Sequence, residues 1–253
     1  MTHRTGITRI FVDAEGSGPS TDAKSLTGSD GMDAYLAVPS AAYAGSILLV
    51  QEIFGVTPAM RSIADDLAAE GYVVLVPDIY WRIERNLDLG NGEDPSQRDL
   101  AVSYSTRYDE AKGTQDLVAA VDWLAASFKP EQRPAVMGFC LGGRMAVRVA
   151  AATSVSCMVS MYGVGLEMLR DEIVGIASPV QFHFGENDNH NPLDSIARLR
   201  TCVDSRTQPA DEFFTYPAAE HAFYNRFRKD RFNPAAHDLA RSRVLRFLRA
   251  HTS

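Results

Sequence analysis

Cysteine is scarce in this chain: Cys140, Cys157 and Cys202 are the only three among 253 residues. So sparse and odd a set argues against a disulfide framework and fits a reducing cytoplasm, the compartment we expect. Positive charge is also short. Twenty-five Lys and Arg stand against 32 Asp and Glu, a net charge of −7, which argues against a nucleic-acid partner. No stretch reaches the roughly 18 consecutive apolar residues that suggest a membrane span. The first residues, Met1 to Ile7, lack the apolar core of a secretory signal. Neither membrane nor leader is therefore expected. The histidines and cysteines show no metal-ligand spacing, so no metal and no other cofactor is expected. No internal repeat and no shift of composition marks a boundary.

What is present is a regular alternation. Hydrophobic residues make up 45% of the chain, enough for a well-packed core. Apolar runs predict strands at 7–12, 32–38, 46–50, 72–76, 135–139, 156–161, 179–184 and 212–216. Helical patterns fall at 58–70, 115–126, 141–152, 192–203 and 234–250. The Gly-, Ser-, Thr- and Asp-rich segment 16–31 reads as a loop. Strands separated by helices predict a mostly parallel central sheet with helices on both faces. Residues 81–96 are polar and irregular, and predict a surface excursion near the functional site.

The most informative segment is Val136-Met137-Gly138-Phe139-Cys140-Leu141-Gly142-Gly143-Arg144. An apolar strand ends in Gly-x-Cys-x-Gly-Gly and passes into a helix. This is the pattern of a nucleophile elbow, with Cys where Ser is commoner. Gly138 and Gly142 remove Cβ atoms that would clash in so tight a turn. A helix N-terminus lowers a thiol pKa and offers free N–H groups to an oxyanion. The plain alternative is a buried structural cysteine beside helix-packing glycines. Cys157, in an apolar strand, and Cys202, in a helix, read as packing residues.

A cysteine nucleophile needs a base, and the base an orienting carboxylate. On an elbow of this kind the chain order is nucleophile, acid, histidine. Asp188 follows the strand Phe182-His183-Phe184 in a Gly-containing loop. His221 follows the last strand, in Tyr216-Pro217-Ala218-Ala219-Glu220-His221. The other histidines fit less well. His3 and His251 sit at the termini, His183 lies within a strand, and His237 opens a polar helix. His190 is the competitor for the role of base. A second segment, Gln51-Glu52-Ile53-Phe54-Gly55-Val56, runs from a strand into a loop. From this position Ile53 N–H would complete an oxyanion site with Leu141 N–H. Glu52 stands in too apolar a setting for a solvated charge. It is either part of the site or a buried carboxylate paired to an arginine.

These segments, with Val-Pro-Asp-Ile-Tyr at 76–80, Tyr-Gly-Val-Gly at 162–165 and Glu-His-Ala-Phe at 220–223, resemble the dienelactone hydrolase family from about residue 32 to the C-terminus. The resemblance implies an α/β-hydrolase fold, here one domain over 1–253 with 1–31 as an N-terminal strand and loop extension. It implies Cys140 as nucleophile, His221 as base and Asp188 as its orienter, with Glu52 holding or deprotonating the thiol. The implied reaction is hydrolysis of an ester or lactone, in the family an enol-lactone, by a monomer or homodimer. Substrate-binding residues are expected at Arg98, Phe54, Tyr104 and Asn225. The chain departs from the family there. Arg98 is retained, but Asn225 stands where a second arginine is expected, with Arg226 one step on. The position of a family tyrosine holds Val102, with Tyr104 nearby. Selection for anionic substrates is therefore expected to weaken. Two other readings are a small-molecule receptor with negligible turnover and a thiol redox sensor at Cys140; an intact triad and the lack of a resolving cysteine close in sequence weigh against them.

Overall fold

The computed structural model describes residues 3–11, 31–41, 43–129 and 131–252. The loop expected at 16–31 falls outside them except for Gly31. Five apolar runs make the centre of the sheet: Gly45–Val50 (β3), Tyr72–Pro77 (β4), Ala135–Phe139 (β5), Met158–Met161 (β6) and Val180–Gly185 (β7). Every residue in them is buried. Continuous burial, rather than alternation, is what a parallel strand covered on both faces requires. His3–Phe11 (β1), Gly31–Pro39 (β2) and Glu212–Tyr216 (β8) extend the sheet to eight strands, in the order β1-β2-β4-β3-β5-β6-β7-β8. β2 runs antiparallel to both β1 and β4; the other pairs are parallel. This is the α/β-hydrolase fold that the sequence leads one to expect.

Helices cover both faces. Pro58–Ala69 (α1) and Pro234–His251 (α7) bury Met60, Ile63, Leu67, Val244 and Leu248 on one side. Glu110–Phe128 (α3), Leu141–Ala152 (α4) and Leu193–Asp204 (α6) bury Leu117, Val121, Met145, Val149 and Leu199 on the other. Local caps fix where several helices begin. Thr57 accepts from Met60 N–H, Asp109 from Ala111 and Lys112 N–H, and Asn233 from Ala236 N–H.

Four features differ from expectation. Pro95–Arg107 forms a helix (α2) that hydrophobic periodicity does not reveal, because only Ala101 and Tyr104 in it are buried. Its start was nonetheless encoded: Asp94 caps Ser96 N–H at 2.8 Å and Pro95 opens the first turn. Helix α3 begins at Glu110, not 115, and a short helix, Arg170–Gly175 (α5), stands where no helix is expected. The 81–96 excursion is irregular, as expected, but it is not merely surface. Trp81 and Leu89 are buried, and Trp81 Nε1–H and the Arg82 guanidinium both donate to Asp116. Leu89 N–H donates to Phe54 C=O, so the excursion clamps the loop after β3.

Candidate active site

Loops at the C-terminal ends of β3, β5, β7 and β8 converge on one cavity, where open parallel sheets place their ligands. Cys140 sits between β5 and α4 with φ 55° and ψ −117°, a conformation that costs a non-glycine residue about 1–3 kcal/mol. The turn is over-determined. Cys140 N–H donates to Met161 C=O, and Cys140 C=O accepts from Gly143 and Arg144 N–H. A Cβ on Gly138 would lie 1.9 Å from Gly142 O, and one on Gly142 would lie 2.2 Å from Val50 O. No side chain fits at either position, which is why the elbow carries glycine on both sides of Cys140.

Asp188 and His221 meet as the sequence predicts. His221 Nδ1–H donates to Asp188 Oδ2 at 2.8 Å. The same oxygen accepts from Asn191 Nδ2 at 2.8 Å, and Oδ1 accepts from His190 N–H at 2.8 Å and Asn191 N–H at 3.3 Å. Burial works against the Asp188 carboxylate, but His221 and these donors outweigh it and hold its pKa below the usual range. Burial alone would push His221 down. Negative charge at Cys140 and the bond to Asp188 overcome it and raise the imidazole to about 10. The ring lies between Tyr162, 5.0 Å away centre to centre, and His190, 4.5 Å away.

Glu52 is 5% exposed and has two neutral donors: Tyr162 hydroxyl at 3.1 Å and Asn225 Nδ2 at 3.0 Å. No arginine pairs with it among the described residues. Tyr162 has φ 39°, a second strained residue at the site.

The cavity has a volume of about 320 Å³. Cys140, His221, Glu52, Ile53, Phe54, Arg98, Val102, Ala222, His190, Arg228 and Arg231 line it. A larger hollow of about 490 Å³ lies at 150–156 and 175–179, and none of the predicted site residues lines it. Leu141 is buried at the start of α4, directly after Cys140. Two expected substrate contacts do not line the cavity. Tyr104 is buried against Tyr80 and donates its hydroxyl to Glu84; Val102, on the same helix, faces the cavity instead. Asn225 is buried and spent on Glu52. Arg226 pairs with Asp66 and Ser62.

The cations that sequence reasoning missed are Arg228 and Arg231. Arg228 is 8% exposed and held through Nε and Nη2 by Asp230. Arg231 is tied to Glu220 and Asp230. Arg98 binds Gly92 C=O through Nε and Nη2. His183 and His237 do not line the cavity. His183 is fully buried between Tyr216 hydroxyl and Gln181, and burial with nearby Arg243 lowers it to about 3. His237 packs on Tyr224. Cys157 and Cys202 are buried, and burial pushes the Cys157 thiol up to about 12. No helix among the described residues is long and apolar enough to cross a membrane.

Residues 32–252 match the family model described as the dienelactone hydrolase family. The chain belongs to that family. It is 33% identical to carboxymethylenebutenolidase 1 of Cupriavidus pinatubonensis, over 85% of this chain and 90% of that one. Identity is also 33% to the carboxymethylenebutenolidase of Pseudomonas sp. strain P51, over 92% and 94%. A crystal structure from Klebsiella pneumoniae, solved as a candidate dienelactone hydrolase, superposes with a TM-score of 0.79 at 26% identity, covering 98% of each chain. This member of the dienelactone hydrolase family is a hydrolase of ester or lactone bonds.

Proposed function

We propose that the chain, acting as one cytoplasmic domain, hydrolyses a carboxylated lactone or enol ester through Cys140, His221 and Asp188. The observation that carries the triad is the bond from His221 Nδ1–H to Asp188 at 2.8 Å, with His221 and Cys140 lining one cavity. The Cys140 sulfur attacks the acyl carbon. Ile53 and Leu141 N–H groups hold the oxyanion. The acyl–oxygen bond then breaks as His221 gives its proton to the leaving oxygen, and a thioester remains. His221 next takes a proton from water, whose oxygen attacks the thioester carbon and expels the Cys140 sulfur. Glu52, held by Tyr162 and Asn225 beside the cavity, is the group we assign to restrain the thiol until substrate arrives.

The cation expected to be missing at position 225 is supplied here by Arg228. Arg98 and Arg228 both line the cavity, and the Nη1 of each makes no hydrogen bond among the described residues. A substrate carboxylate between them would gain a charged hydrogen bond, worth roughly 1.5–3 kcal/mol, from each. Weak selection for anionic substrates is thus no longer the expectation. The test compares kcat/KM for a carboxylated dienelactone and a neutral lactone. Arg228→Ala should reduce the anionic preference roughly 10- to 150-fold. An unchanged ratio contradicts the assignment.

A further inference from the structure

We propose that His190 is a further catalytic residue, whose ring N–H donates a hydrogen bond to the leaving-group oxygen as the acyl–oxygen bond breaks. The proposal rests on the Cys140–His221–Asp188 reading above. Three observations place His190 there. It lines the same cavity as Cys140 and His221. Its ring centre lies 4.5 Å from that of His221, at a tilt of 59°. Its backbone N–H is fixed by Asp188 Oδ1 at 2.8 Å, so the carboxylate that orients the base also anchors this neighbour.

Geometry then limits what His190 can do. It cannot take the proton directly from His221, because one nitrogen of His221 is bonded to Asp188 and the other, in the reading above, serves Cys140. A leaving oxygen, however, must approach the His221 ring to receive its proton. At that place the polar neighbours are mostly committed. Tyr162 hydroxyl donates to Glu52, and Arg231 is held by Glu220 and Asp230. Neither ring nitrogen of His190 has a hydrogen-bond partner among the described residues. Burial lowers its pKa, with the charges of His221, Arg231 and Arg228 acting the same way and Asp188 opposing. A neutral imidazole at neutral pH keeps one N–H to donate.

The sulfur–carbon bond forms, the carbon–oxygen bond breaks with its electron pair going to the leaving oxygen, and the proton from His221 converts that oxygen to the alcohol. His190 contributes a hydrogen bond and no atom. Its effect must therefore grow as the leaving group becomes more basic and carries more charge in the transition state.

The experiment is a leaving-group series: p-nitrophenyl, phenyl, trifluoroethyl and ethyl acetates, with kcat/KM for wild type, His190→Phe and His190→Gln. Phe keeps a ring against His221 but no donor; Gln keeps a donor. His190→Phe should lose at least about tenfold more on ethyl acetate than on p-nitrophenyl acetate, the size of one hydrogen bond to a developing charge. His190→Gln should recover part of that difference. An equal loss on all four esters would reduce His190 to a packing group for His221 and overturn the proposal, as would no loss at all. Cys140→Ala on the same esters tests the triad separately. Full activity there removes the triad reading, and this proposal with it, whatever slope the His190 variants give.

Discussion

Gly142→Ala tests whether the elbow and the oxyanion loop must touch. An added Cβ at Gly142 would lie 2.2 Å from Val50 O and 2.5 Å from Gln51 O, both backbone atoms at the start of the loop carrying Glu52 and Ile53. Ordinary contact begins at 3.4 Å, so the two backbones must part by about 1.2 Å. Neither side can yield cheaply. Val50 ends β3, which pairs with β5, and Gly142 lies in the first turn of α4, two residues after Cys140. A misplacement of about 1 Å can cost on the order of 100-fold in rate, while overpacking of this kind costs about 1–3 kcal/mol of stability. The variant should therefore remain folded at 25 °C and lose about 100-fold in kcat/KM on p-nitrophenyl acetate. Iodoacetamide should still label Cys140 close to the wild-type rate, because the thiol and His221 stay in place. Full esterase activity in a folded variant would refute the reasoning. So would equal loss of labelling and turnover, since that places the damage at the nucleophile instead of at the oxyanion site.

Glu52→Gln should change the iodoacetamide rate of Cys140 and its pH profile; identical profiles from pH 5 to 9 would leave Glu52 a structural carboxylate. Stability should fall at both ends of the pH scale. The folded pKa of Asp188 is depressed from an unfolded value of about 3.9, so its contribution is present above that value and is lost as acid protonates the folded carboxylate. His221 is raised, so its contribution is complete below about 6.5 and is lost as the pH rises through about 10. Urea midpoints measured from pH 3 to 10 should show both limbs. In Asp188→Asn the acid limb should flatten, and an unaltered acid limb would count against the assignment.

The readability of the site in the sequence varies with what fixes each residue. Strand β5 and helix α4 have the predicted bounds, 135–139 and 141–152, because complete burial sets the one and a glycine-bracketed turn sets the other. Asp188 and His221 were legible from their order at strand ends. Helix α2 was not, since a helix that buries only Ala101 and Tyr104 leaves no periodic stripe. Tyr104, Asn225 and Arg228 show the limit of counting along the chain. Past His221 the backbone turns tightly, with Ala222 at φ 65° and successive bonds from Asn225 N–H to Ala222 C=O and Arg228 N–H to Asn225 C=O. Those turns aim Asn225 at Glu52 and bring Arg228 to the cavity. A survey of every cation in the Arg226–Arg231 stretch would have found Arg228; the spacing of one family position could not.

The most direct test of the account is where the acyl group goes. Wild-type protein mixed with p-nitrophenyl acetate and quenched in acid within the first turnover should carry one acetyl group, mapped by mass spectrometry to the peptide containing Cys140. Hydroxylamine should remove it, as expected for a thioester. Cys140→Ala should show no such adduct and lose turnover by on the order of a thousandfold or more, as triad enzymes do when the nucleophile is removed. An acetyl group on another residue, or wild-type turnover in Cys140→Ala, would contradict the account.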